Sequence, residues 1–220
     1  MFKYSSKQAS ALALVTLFFA LTFAALLPAR AGDEGLYDSP PPPGSSFVRI
    51  IDGQRASGVA SVGSVEYLLT EEGLTPYKIV HAGTYDLSMR DASPSFSFEA
   101  GKFYTIVAAA GTEPVLVEDE PISNPSRAGL YFYNATGTSD VDLALVLGGK
   151  AVKAFKNVSA DSEAFRQLKA ATVGFEAQQS GNALAAADEF SLKRKIGTTV
   201  VLFQDSGNYK LLVSNNSLEQ

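Results

Sequence analysis

The chain is predicted to be all-β: two tandem small β-sandwich domains, internally duplicated and joined by a short proline-containing linker. Three observations predict this. A nine-residue pattern at Tyr77 to Tyr85 (Tyr-Lys-Ile-Val-His-Ala-Gly-Thr-Tyr) returns at Phe165 to Val173 (Phe-Arg-Gln-Leu-Lys-Ala-Ala-Thr-Val). The aromatic, the base, the aliphatic, the Ala and the Thr fall at the same steps, as a tight turn between two apolar strands requires. The copies stand 88 residues apart, too far for a solenoid and right for two small domains. Finally, short runs rich in Val, Ile, Thr, Tyr and Phe are separated by Gly, Asp and Pro, a sandwich or barrel signature rather than a βαβ one.

The first residues carry the three parts of an export signal. Lys3 and Lys7 give positive charge, Ala9 to Leu27 is uncharged and apolar, and Ala29-Arg30-Ala31 is an A-x-A cleavage site between Ala31 and Gly32. An uncleaved membrane anchor is the alternative, since the run is long enough to span a bilayer. The expected destination is a bacterial periplasm. Residues 32–46 form an arm with Pro40-Pro41-Pro42-Pro43-Gly44, which favours polyproline II and reads as spacer or recognition strip.

The first sandwich is expected over residues 47–120. Its strands are Phe47 to Ile51, Val65 to Leu69, the alternating Thr84 to Met89, Ser95 to Phe98, the long Lys102 to Ala109 and Pro114 to Val117. Residues 121–127, proline-punctuated after the acidic Glu118-Asp119-Glu120, are the linker. The second sandwich, 128–220, repeats the order. Leu130 to Tyr133 echoes Phe47 to Ile51, and Val141 to Leu147 echoes Val65 to Leu69. Thr172 to Ala177, Phe190 to Leu192, Thr198 to Phe203 and Tyr209 to Val213 complete it. Two stretches compete with strand: Ser159 to Ala171, where loop and turn are favoured over an amphipathic helix, and the alanine-rich Asn182 to Asp188, where a short helix fits. About seven strands per sandwich are expected.

Charge is uneven. After cleavage, residues 32–120 hold 14 acids against 5 bases, and residues 127–220 hold 9 acids against 10 bases. An acidic first half excludes nucleic acid as a partner and disfavours an anionic glycan there. The chain has no Cys, hence no disulfide, thiolate nucleophile or lipobox, and a single His. His81 has no G-x-S-x-G serine to serve, and its duplicate position holds Lys169, which marks an exposed turn. No metal cluster, phosphate loop or dinucleotide fingerprint is present, and Asp140, Asp142 and Asp205 read as turn caps rather than calcium ligands. No catalytic, cofactor-binding or metal residues are therefore expected, and no cofactor. Tyr67, Tyr131 and Tyr133 alternate as core residues. Two basic clusters remain: Lys150, Lys153 and Lys156, and Lys193-Arg194-Lys195. They read either as charges that keep a sheet edge from unwanted pairing or as a surface for an acidic partner or polyuronate chain.

Several segments together carry a family resemblance. Gly32-Asp33-Glu34-Gly35-Leu36-Tyr37-Asp38, the proline run into Gly44-Ser45-Ser46-Phe47-Val48-Arg49, and Gly129-Leu130-Tyr131-Phe132-Tyr133-Asn134 make the chain similar to the AlgF family of periplasmic alginate biosynthesis proteins, accessories of alginate O-acetylation. The resemblance implies a part in acetylating an exopolysaccharide of biofilms, with the chemistry done by acetyltransferases that have Ser, His and Asp sites. This chain lacks such a set. The implied role is a non-catalytic adaptor that bridges or relays between alginate O-acetyltransferase subunits and meets the membrane only through them. The alternative is a module that presents alginate through the C-terminal basic clusters.

Overall fold

The computed structural model describes residues 41–205 and 207–219, and every described element is a strand or a connection. The expected signal segment, 1–31, and residues 32–40 of the arm lie outside the described residues. The first half contains β1 (Ser45–Asp52), β2 (Gly58–Val62), β3 (Val65–Leu69), β4 (Tyr77–His81), β5 (Gly83–Met89), β6 (Ser95–Phe98), β7 (Phe103–Ala108) and β8 (Val115–Asp119). The second contains β9 (Ala128–Ala135), β10 (Val141–Leu147), β11 (Lys150–Val158), β12 (Ser162–Leu168), β13 (Ala171–Gln179), β14 (Asn182–Leu192), β15 (Gly197–Asp205) and β16 (Asn208–Asn215). A last short strand, β17 (Leu218–Glu219), ends the described chain.

Sheet order gives the duplication its physical form. One sheet of the first half runs β4-β1-β7-β8 and the other β3-β2-β5-β6; adding eight to each label gives β12-β9-β15-β16 and β11-β10-β13-β14. In both halves the first strand lies parallel to the seventh (Phe47 beside Phe103, Gly129 beside Gly197), and the other strands of these four-strand sets pair antiparallel. The recurring pattern is the corner where the chain leaves one sheet for the other. Only Ala82 separates β4 from β5, and Lys169 and Ala170 separate β12 from β13. Gly83 takes φ +151° at that corner, where a Cβ would also press on the Tyr85 ring at 3.2 Å.

Each half has its own apolar core. Val48, Ile50, Tyr67, Leu87 and Ile106 fill the first, and Leu130, Phe132, Leu143, Phe175 and Val200 the second. A third cluster, Ile51, Val107, Tyr131, Tyr133, Val201 and Phe203, takes residues from both halves. It explains why β1 and β9 are buried along all eight of their residues: one face covers the home core, the other the opposite half. Strands covered on both sides read as nearly continuous apolar runs, and Ser-Ser-Phe-Val-Arg-Ile-Ile-Asp departs from this at its ends, Ser45, Ser46 and Asp52, and at its centre, Arg49.

The structure corrects several strand assignments. β2 is absent from the expected list because the short Gly-Val-Ala-Ser-Val turns only Ala60 and Val62 to the core, too few for a clear alternation. The counterpart of β2 is then β10, Val141–Leu147, whereas β3 matches β11, a strand whose three lysines disguise it as a charged loop. Residues 162–168 form strand β12, neither loop nor helix, paired along β9 from Ser162–Asn134 to Leu168–Ala128. The alanine-rich segment is strand β14, because pairing with β13 overrides alanine's helix propensity. Each half thus has eight strands rather than about seven, and the last residues of the second half cross over: Leu218 and Glu219 pair in parallel with Tyr77 and Lys78 of β4.

With both halves sharing a buried cluster, the chain is expected to unfold in one cooperative transition. Val201→Glu places a charge in the shared cluster while leaving both home cores intact, and should split calorimetric unfolding into two transitions. A single transition in this variant would show that the halves are coupled elsewhere.

Candidate functional site

The contact between the halves is polar at its centre. Arg49 on β1 is only 1% exposed, a position that needs full compensation for its charge. Its Nε donates to Thr105 Oγ1 at 2.8 Å, Nη1 to Asn216 Oδ1 at 3.0 Å and Nη2 to Tyr133 Oη at 3.2 Å. Asp119, at the end of β8, brings a carboxylate oxygen to 4.0 Å from Nη2. That carboxylate accepts hydroxyl protons from Tyr77 (2.6 Å), Thr105 (2.7 Å) and Tyr133. The guanidinium lies 4.4 Å from the Tyr77 ring centroid and 5.3 Å from that of Tyr133. Asn216 also accepts from Thr199, the second half's counterpart of Thr105, at 2.6 Å. A buried cation, a buried carboxylate and five neutral partners therefore join β1, β4, β7 and β8 to β9, β15 and the chain beyond β16.

The electrostatics follow from this closure. Burial works against the Arg49 charge, but Tyr77, Tyr133 and Asp119 outweigh it and hold the guanidinium above its ordinary pKa. Burial pushes the Tyr77 and Tyr133 phenols well above theirs. Glu163, opposite Tyr133 on β12, is the one ill-matched member. Its Oε1 is buried without a hydrogen-bond partner, and burial, with Asp119 adding to it and Arg49 opposing, pushes the carboxyl up to about 8. Arg49, Asp119, Tyr77 and Tyr133 are enclosed by the two halves, so the cluster binds the sandwiches to each other.

The linker is fastened as well. Tyr131 Oη donates to Glu120 O at 2.6 Å, Asn124 N donates to Gln167 Oε1 at 2.9 Å, and Gln167 Nε2 donates to Ser123 Oγ at 2.9 Å. A Cβ on Gly129 would meet Ile122 at 2.7 Å, so the linker's approach to β9 requires glycine there.

Other sequence-marked residues are placed separately. His81 is exposed at the end of β4 and Lys169 at the equivalent corner, as the duplicated pattern predicts. Tyr67, Tyr131 and Tyr133 are buried core residues, as expected. The basic residues do not form one surface. Lys150, Lys153 and Lys156 run along β11, an edge strand, and Lys153 Nζ is paired with Asp142 at 2.5 Å, an interaction that lowers the Asp142 pKa. Lys193, Arg194 and Lys195 form the β14–β15 turn at the end of the sandwich. Lys150 shares that end, because the connections preceding β9, β11, β13 and β15 all lie there. The same topology brings in Arg127 and Lys169, which stand singly in the sequence; Lys195 N donates to Arg127 O at 2.8 Å. Six bases and one carboxylate, Glu120, occupy these connections and the start of β11, whereas Asp140, Asp161 and Asp205 mark the opposite end.

Two clefts adjoin these parts. One of about 630 Å³ lies between the Arg90–Pro94 and Ala109–Pro114 turns, and its arginine is held by Asp52 at 2.6 and 2.9 Å. The other, about 380 Å³, opens where Phe103, Ile122, Tyr131, Lys195 and Leu218 converge beside the Arg49 contact. Among the described residues no group of three or more His, Cys, Asp or Glu could hold a metal ion, and no helix is long and apolar enough to cross a membrane.

Fold and contact together define a tandem β-sandwich protein in which Tyr133 and Asn216 of the second half bond to a buried ion pair of the first. The chain belongs to the family described as Alginate O-acetyl transferase AlgF, whose profile matches residues 19–201. It is 26% identical over 196 residues to the alginate biosynthesis protein AlgF of Pseudomonas putida, covering 88% of this chain and 89% of that one. To the protein of the same name from Pseudomonas syringae pv. tomato it is 27% identical, covering 80% and 78%. Among solved structures it is similar to the C-terminal domain of AlgF from P. aeruginosa, at 14% identity and TM-score 0.36, covering 41% of this chain and 99% of that one. Arg49 and Tyr133, which lie in the segments that carry the family resemblance, meet at 3.2 Å.

Removing Arg49 leaves Asp119 buried without its cation. Arg49→Ala should lower stability in urea by about 3–5 kcal/mol, and Arg49→Met combined with Asp119→Asn by less than Arg49→Ala alone. Glu163 gives a pH signature. Its folded carboxyl keeps its proton up to about pH 8, against an ordinary value of 4.5, so the folded state holds more protons than the unfolded one across that window. Stability should therefore fall as pH rises through it. Glu163→Gln should abolish that decline, gaining at most about 2 kcal/mol at pH 8 after allowing for partial exposure, and change little near pH 4.

Proposed function

We propose that this protein is a non-catalytic periplasmic adaptor of alginate O-acetylation, holding acetyltransferase components in a fixed relation to one another. The joining of the two sandwiches through Arg49 and Asp119 carries the reading. Two domains on a free tether would only raise a local concentration. Two domains held by buried hydrogen bonds to Arg49 and Asp119 and by a shared apolar cluster act as a spacer of set length and orientation. Family membership supplies the pathway, since the relatives are named for alginate biosynthesis. The Tyr77 and Tyr133 phenols, which burial pushes well above their ordinary pKa, are sealed between the halves, where they serve docking. Presentation of alginate by the basic clusters is the weaker reading, since Lys153 is already committed to Asp142.

The test is capture of each purified alginate O-acetyltransferase subunit by the mature chain, followed by addition of the second subunit. A ternary complex from the intact chain, lost in Val201→Glu although single subunits still bind, is the expected outcome. Absence of binding to every subunit would remove the adaptor reading.

A further inference from the structure

The cleft beside the Arg49 contact and the basic end of the second sandwich form one continuous surface, because Lys195 belongs to both. The cleft has an apolar, preorganised wall. Phe103 and Leu218 are among the few large apolar side chains left exposed, at 37% and 38%. Neither is loose. Phe103 stacks on Phe47 at 4.4 Å and meets Tyr77 edge-on at 5.2 Å. Leu218 is held by pairing with β4, by the hydrogen bond from Tyr77 N to Ser217 O at 2.9 Å and by the Lys78–Glu219 ion pair at 2.9 Å. A rigid apolar notch needs no ordering on binding, the usual property of an anchor pocket.

The end of the second half that Lys195 shares with the cleft is basic. Lys150, Lys169, Lys193, Arg194 and Lys195 are exposed, and none is ion-paired among the described residues. Asp119 and Glu120 line the cleft itself, and the Asp119 carboxylate is taken up by the Tyr77, Thr105 and Tyr133 hydroxyls. We infer that this surface docks an acidic segment of a partner protein, which inserts one aromatic or aliphatic side chain between Phe103 and Leu218 and sets its carboxylates against Lys193, Arg194 and Lys195. A polyuronate offers carboxylates but no apolar side chain to fill the notch, so a protein segment matches both features. Charge complementarity would speed encounter and fix orientation, while the anchor supplies most of the affinity. The inference rests on the adaptor reading and names its docking site.

The test measures binding of each purified alginate O-acetyltransferase subunit, and in parallel of an oligouronate, to the mature chain and three variants. Arg194→Glu with Lys195→Glu alters the basic turn, Leu218→Asp alters the notch, and Lys210→Glu, on β16 towards the opposite end, is the control. Each variant is checked for unchanged far-ultraviolet dichroism. The expected result is roughly tenfold or greater weakening of one subunit's affinity by the first two variants and none by the third. Slowed amide exchange should then map to residues 118–122, 193–197 and 216–219 of the complex. Equal binding by all variants, or protection elsewhere, would overturn the docking site and leave the adaptor reading standing. If no subunit binds even the unaltered chain, both fall. Oligouronate binding with the same sensitivity to both variants would assign the surface to the glycan and overturn the protein occupant.

Discussion

A charge with nowhere to go organises this molecule. An arginine at the centre of a strand covered on both faces is costly to bury without compensation, and Arg49 is compensated from both halves at once. Tyr133 comes from β9, Asn216 from the chain beyond β16, and Asp119 and Thr105 from the home sheet. Separating the halves would strip Arg49 of its partners from the second and expose the apolar cluster of Ile51, Val107, Val201 and Phe203. The polar centre orients the contact and the apolar surround contributes most of its stabilisation.

The duplication explains how such a contact forms. Both halves have the same inner sheet, with the first strand parallel to the seventh, and the two inner sheets meet face to face. Equivalent positions have diverged to complement one another. Thr105 and Thr199 both keep a hydroxyl, one for Arg49 and Asp119, the other for Asn216. Tyr77 and Phe165 occupy the same step of the repeated corner, but only Tyr77 has a hydroxyl to give Asp119. β17 then carries the end of the second half onto the first half's sheet, a crossing that simple tandem repetition does not produce.

For function, this arrangement leaves the outer sheets and the sandwich ends as the available surfaces. The ends of the second half differ most, with bases gathered at one and acids at the other. A half whose formal charge is close to neutral can therefore present a strongly basic face. That polarity lies beside an apolar notch at the junction of the halves.

By itself the sequence determined the all-β class, the duplication, the corner motif and the family, because each rests on local periodicity, turn chemistry or residue identity at fixed spacing. It also placed Tyr131 and Tyr133 inside, since their alternation along β9 is local. Tertiary structure decided the rest. β2 was hidden because so short a strand turns only Ala60 and Val62 to the core, β11 because its exposed lysines read as a charged loop, and β14 because only pairing with β13 outweighs its alanines. The gathering of Arg127 and Lys169 with Lys193 to Lys195 depends on which connections share an end, a property of strand order. The meeting of Arg49 with Tyr133 and Asn216 spans 84 and 167 residues of chain, and no local pattern encodes contacts that arise only when two finished sheets pack.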